Sequence, residues 1–162
     1  MNRRGFLRLS LVAGLILVAP RLLKAGSERS VSMIEKIEKT DAEWRNILTD
    51  AQFDVLRNEN TEPPFSSDLN KQYGKGVYHC AGCDLELFSS ETKFDSGTGW
   101  PSFYAPIEGH VETRRDFKLI LPRTEYHCAR CGGHQGHVFK DGPEPTGLRY
   151  CNNGVALKFI AA

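Results

Sequence analysis

A chain of 162 residues with a formal net charge of +1 has room for one domain and a short targeting segment. Its charge balance gives no reason to expect a nucleic-acid partner. With 40% hydrophobic and 25% charged residues the composition is that of a globular protein. Five cysteines and five histidines are the informative part of it.

The first 25 residues are set aside from the fold. They open MNRRGFLRLS, with Arg3 and Arg4 adjacent, and an apolar run, LSLVAGLILVAP, follows over residues 9–20. This resembles a bacterial twin-arginine export signal, with cleavage expected after Ala25. The run is too short for a comfortable membrane span. The alternative is an uncleaved N-terminal anchor. Either reading delivers the domain outside the cytoplasm, and the expected compartment is a bacterial periplasm.

Residues 26–39 are polar and read as a flexible lead-in, so the expected domain covers residues 40–162. Thr40 with Glu43 forms a capping box, and Trp44, Ile47, Leu48, Ala51, Val55 and Leu56 follow at helical spacing. The pattern predicts one broken helix or two short ones between positions 41 and 58, with Asp50 as a second N-cap. Residues 60–68 (NTEPPFSSD) form a loop, because two prolines and small polar residues exclude regular structure. From Gly76 onward the texture is short β-type runs: GVYHC, LELFSS, FKLILP, TEYHC and VALKFI. The predicted fold is mainly β, two antiparallel sheets behind short N-terminal helices, with loops carrying the chemistry.

Four of the cysteines form two C-x-x-C pairs, Cys80/Cys83 and Cys128/Cys131, each inside a shared Tyr-His-Cys-Ala-x-Cys echo. Two chelating turns of this kind read as halves of a tetrahedral four-thiolate zinc site, one structural ion per chain. Gly82 and Gly132 are expected to relax the two turns. Two disulfides, or a redox C-x-x-C pair, are the rival readings, although the βαβ context of the latter is missing. His79 and His127 read as strand residues, and His110 has no role.

The fifth cysteine, Cys151, is left over as a candidate reactive thiol. Arg149, Cys151 and Asn153 share a face if this stretch is a strand. His134 and His137 sit on a glycine-rich stretch that can bend toward it, and Trp100 stands in FDSGTGWPSFYAPI, residues 94–107. A thiol becomes a nucleophile when a cation or imidazole lowers its pKa.

The motifs TEPPFSS, GWPSF, GGHQGHVF, DGP-x-PTG and RYCNN, in that order and with the paired C-x-x-C, resemble those of the methionine sulfoxide reductase B family over residues 41–160. The resemblance implies reduction of methionine-R-sulfoxide, protein-bound or free, by a thiol-dependent oxidoreductase. It casts Cys151 as the nucleophile that ends as a sulfenic acid. Arg149 matches the residue favouring the thiolate. His134, His137 and Asn153 match positions that hold water, donate protons or polarise the sulfoxide oxygen. Trp100 matches the aromatic wall of the substrate pocket, with Phe139 helping to close it. The paired cysteines match zinc ligands. Many members of the family carry a resolving cysteine where this chain has Thr98. The expected partners are therefore a methionine sulfoxide in a protein and an external thiol or thioredoxin-like reductant. A zinc-binding interaction module without catalysis, and a thiol–disulfide oxidoreductase built on the C-x-x-C pairs, are the competing functions.

Overall fold

The computed structural model describes residues 34–118 and 122–162; the export-signal reading, most of the lead-in and part of FKLILP lie outside the described residues. Residues 34–40 have no regular structure, but the amide of Ile37 donates to the carbonyl of Arg130 at 2.8 Å. Ile34 and Ile37 pack against the core.

Two helices follow, α1 (Asp41–Arg45) and α2 (Asp50–Asn58). Each starts at a threonine with a complete capping box, Thr40 with Glu43 and Thr49 with Gln52. The second N-cap is thus Thr49 rather than Asp50. The threonine hydroxyl accepts the amide three residues on, and Gln52 closes the box in return. Trp44, Phe53 and Leu56 are the buried face of this helical pair.

Among the described residues, nine strands make two antiparallel sheets. They are β1 (Gly76–Cys80), β2 (Glu86–Ser89), β3 (Lys93–Phe94), β4 (Ser102–Phe103), β5 (Val111–Asp116), β6 (Arg123–Cys128), β7 (His134–Phe139), β8 (Arg149–Asn152) and β9 (Leu157–Ala161). The small sheet has the order β2-β1-β9 and the large one β3-β4-β8-β7-β6-β5. Tyr78, Leu87, Phe88, Phe103 and Tyr126 are fully buried between them, with the Phe88 and Phe103 rings stacked at 4.2 Å.

β5, VETRRD, is polar and largely exposed because it is an edge strand with little core behind it. One expectation changes here. GGHQGHVF is not a bending loop; its last six residues are β7, a central strand. Gly136 makes this work, since a Cβ there would sit 1.9 Å from the carbonyl oxygen of Cys151 on β8.

Candidate active site and metal centre

The two C-x-x-C turns close on one another at the ends of β1 and β6. All four Sγ atoms lie within 4.8 Å of each other, and the nearest pairs run across the turns, Cys80 to Cys131 at 3.6 Å and Cys83 to Cys128 at 3.4 Å. A tetrahedron with bonds of about 2.3 Å has sulfur–sulfur edges of about 3.8 Å, so the set fits a four-thiolate ion. Gln135 adds an amide donor 3.5 Å from Cys80 Sγ, the kind of outer contact that orients a ligand. Gly132 takes the left-handed conformation in the second turn (φ 66) as expected, but the first turn places that conformation at Asp84 (φ 59), not at Gly82. Gly82 instead keeps the turn slim where it packs on Leu56 and Trp44. His79 and His127 lie on β1 and β6; His127 pairs with Glu125 and Glu112.

Cys151 stands on β8, directly opposite His137 on β7 and Ser102 on β4. It opens into a cavity of about 120 Å³ lined by Trp100, Phe139, His137, Arg123, Asn152 and Asn153, together with Thr61. The lining mixes two aromatic rings, Trp100 and Phe139, with polar side chains. The Trp100 indole donates to the Glu62 carbonyl at 3.0 Å, which locks the ring.

The electrostatics around the thiol are mixed. Burial pushes the Cys151 thiol up; the Arg149 charge and a hydrogen bond from Thr98 pull it down without cancelling that rise. Arg149 is itself held in a two-pronged ion pair by Asp141 at 2.9 and 2.8 Å, and its guanidinium lies 4.3 Å from the Phe139 ring. The Thr98 hydroxyl belongs to a short chain, 2.8 Å from Ser96 Oγ, which is 2.7 Å from Ser102 Oγ.

The two histidines pack edge to face at 5.4 Å. His137 lines the cavity and its Nε2 meets Asp116 at 2.7 Å. His134 is buried behind it, with Nδ1 held by Glu125 at 2.7 Å, and does not line the cavity. Glu125 also faces His127 and Arg114; despite its burial, the hydrogen bonds from His127 and His134 bring it down to about 2.

Asn153 lies just past the end of β8 rather than on its face, and its side chain is used twice for structure. Its Oδ1 accepts the Glu62 amide at 3.0 Å and its Nδ2 donates to the Gln135 carbonyl at 3.0 Å. Glu62 is the hub here, because its carboxylate also accepts the amides of Gly154 and Val155 at 2.5 and 2.9 Å. The structure therefore gathers Cys151, His137, Asn153, Trp100 and Phe139 around one cavity, with Arg149 beside the thiol but outside the lining and His134 behind. The sequence reading missed Glu62, Asp116, Arg123, Glu125 and Asp141. Each is an ordinary charged residue on a loop, at a strand end or, for Glu125, within an exposed-looking strand, and only the fold shows its neighbours.

Comparison with known proteins agrees with this arrangement. The SelR domain family matches residues 48–161. A peptide methionine sulfoxide reductase MsrB of Methanosarcina mazei is 54% identical over 125 residues, covering 76% of this chain and 89% of the relative. Those of Pseudomonas putida (56% over 128 residues; 78% and 96%) and Leptospira interrogans (50% over 125 residues; 76% and 95%) are similar to the same extent. With the family match over residues 48–161 and relatives this similar over three quarters of its length, the chain belongs to the SelR-domain family of methionine sulfoxide reductases of the B type, oxidoreductases that reduce methionine sulfoxide.

Proposed function

We propose that Cys151 is the nucleophile and that it reduces the R epimer of methionine sulfoxide, chiefly in proteins, through a sulfenic acid. The observation that carries this is the placement of the cysteine outside the four-cysteine cluster on the wall of a small cavity lined by both aromatic and polar side chains. The thiolate attacks the sulfoxide sulfur and supplies two electrons. The sulfur–oxygen bond breaks, the oxygen and one proton end on Cys151, and the thioether leaves. In balance, one sulfoxide and one thiol become one thioether and one sulfenic acid. Trp100 and Phe139 receive the methyl group. His137 and Asn153 face the oxygen, and His134 backs His137. This fixed disposition of methyl, oxygen and main chain selects one sulfur configuration. Arg149 favours the thiolate against burial, which raises the thiol.

Cys80, Cys83, Cys128 and Cys131 would hold a structural zinc ion, which would supply folding energy by tying β1 to β6 and leave catalysis to other residues. With Thr98 beside Cys151 and the other four thiols so engaged, recycling falls to an external thiol or thioredoxin-like reductant acting on Cys151 directly. One turnover without reductant should leave Cys151 one oxygen heavier and trappable by dimedone as a single adduct. A loss of two hydrogens mapped to Cys151 and one of the paired cysteines would show instead that a metal ligand resolves the sulfenic acid.

The N-R-R-G-F-L-R opening supports export and repair of exported proteins. Changing Arg3 and Arg4 to Lys should block translocation; normal delivery of that variant outside the cytoplasm would rule this out.

A further inference from the structure

Outside the residues of the Cys151 motif, the cavity has one charged cluster whose purpose the family resemblance does not supply. Asp116 ends β5 and Arg123 begins β6, as directly paired residues across the edge of the large sheet. The Asp116 side chain reaches past β6 to the central strand β7 and takes His137 Nε2 at 2.7 Å, while Arg123 holds the same carboxylate oxygen at 2.6 Å. The other oxygen accepts the Lys118 amide at 2.8 Å. Arg123 is itself a cavity residue, and its Nε is buried without a partner among the described residues. A proton on His137 Nε2 is thereby committed to Asp116, and no described residue hydrogen-bonds Nδ1.

Resting on the reading of Cys151 as the reducing thiol, we propose that Asp116, clamped by Arg123, is the positioning carboxylate of His137. It fixes the ring with Nδ1 toward the sulfoxide oxygen and supports the imidazolium that gives that oxygen its proton. Atoms and electrons balance. The Cys151 thiolate gives two electrons to the sulfoxide sulfur, the Nδ1 proton goes to the oxygen, and neutral His137 remains with the sulfenic acid and the thioether. It is the geometry by which a buried carboxylate orients and supports an imidazole in other nucleophilic sites.

The groups facing His137 act in opposite senses. Burial is the largest influence and leaves its proton affinity below that of an ordinary imidazole; Asp116 raises it against that loss, and Arg123 and His134 lower it. Glu125 on β6 and Cys151 on β8 are its direct cross-strand neighbours. Asp116 itself is held well below the usual carboxylate range, first by the Lys118 amide and then by His137 and Arg123, so it stays ionised throughout.

The test uses the full chain with its metal. Asp116→Asn keeps the oxygen that accepts the Lys118 amide and puts an amide nitrogen against two donors. Single-turnover reduction of a methionine sulfoxide peptide should fall at least about tenfold at neutral pH, with KM within about twofold. The His137 ring, titrated by NMR in the free protein, should ionise about one unit lower in Asp116→Asn and higher in Arg123→Gln. Asp116→Glu and Arg123→Lys should return toward wild type. Damage to the scaffold alone would not move one titration in opposite directions. An unchanged His137 titration in both variants, or wild-type turnover by Asp116→Asn, would overturn the assignment. A wild-type protein that reduces no sulfoxide would overturn the underlying reading and this one with it; the wild-type control tells the two failures apart.

Discussion

Cys151 sits where two opposing influences meet, burial raising its thiol and the Arg149 charge lowering it. With burial the larger, alkylation of the free protein by iodoacetamide should rise with pH to a limb above the ordinary thiol range; a limb at or below that range would contradict the balance described. Removing the cation should raise the thiol further. Arg149→Gln should therefore slow sulfoxide reduction about tenfold, since one unit of pKa is a tenfold change in thiolate fraction. Rates equal to wild type would show that the Asp141 carboxylate already cancels the guanidinium. Cys151→Ser should lose on the order of 10³-fold or more in turnover while keeping its melting temperature. At this scale the sequence singles out the thiol, Arg149 and Trp100, because each stands in a distinctive local string, and the structure places all three close together. It is silent about Asp141, Asp116 and Glu62. A carboxylate that meets an arginine or histidine across a sheet leaves no local pattern in the chain.

Elements explain why those side chains meet. β7 and β8 pair so that His137 opposes Cys151 and Phe139 opposes Arg149, and the slim backbone at Gly136 lets the two strands approach. Alternating polarity would flag a strand in HQGHVF, but its glycine and two histidines, behind two further glycines, disguise it as a loop, and burial on both faces removes the alternation. Conversely, β5 is nearly all polar and gives no apolar strand signal. Its residues alternate Arg114 toward Glu125 and Asp116 toward Arg123, which is cross-strand chemistry rather than core. The loop holding Trp100 shows a second kind of constraint. Gly99 has φ 91, and a Cβ there would lie 2.9 Å from the Phe65 ring and from Pro64. Gly99→Ala should cost about 1–3 kcal/mol in denaturant unfolding and raise KM by displacing Trp100. A variant as stable as wild type with unchanged KM would show that this loop tolerates the shift.

For the whole molecule, the metal cluster and the cavity are two separate uses of five cysteines. The cluster joins the small sheet to the large one under the cover of Trp44 and Leu56, and it forms part of the core: Cys80, Cys128 and Cys131 are all buried. The paired C-x-x-C motifs make this legible in the sequence, whereas the helical lid over them is not, because an apolar stripe says that it packs but not on what. Protein purified without chelator should contain one zinc per chain. Cys128→Ser should lose it together with several kcal/mol, on the order of the binding energy that structural zinc contributes to folding. Zinc-free protein that melts at the same temperature would contradict the clamp. The central proposal is that one cysteine, Cys151, facing the cavity, reduces one epimer of the sulfoxide. The most direct test is to incubate wild type and Cys151→Ser with an equal mixture of R and S sulfoxides of an N-acetylated methionine peptide and excess dithiothreitol, and to resolve what remains. Wild type should consume the R epimer and stop with the S epimer intact, and Cys151→Ser should leave both. Consumption of the S epimer by wild type, or turnover of either epimer by Cys151→Ser, would contradict it.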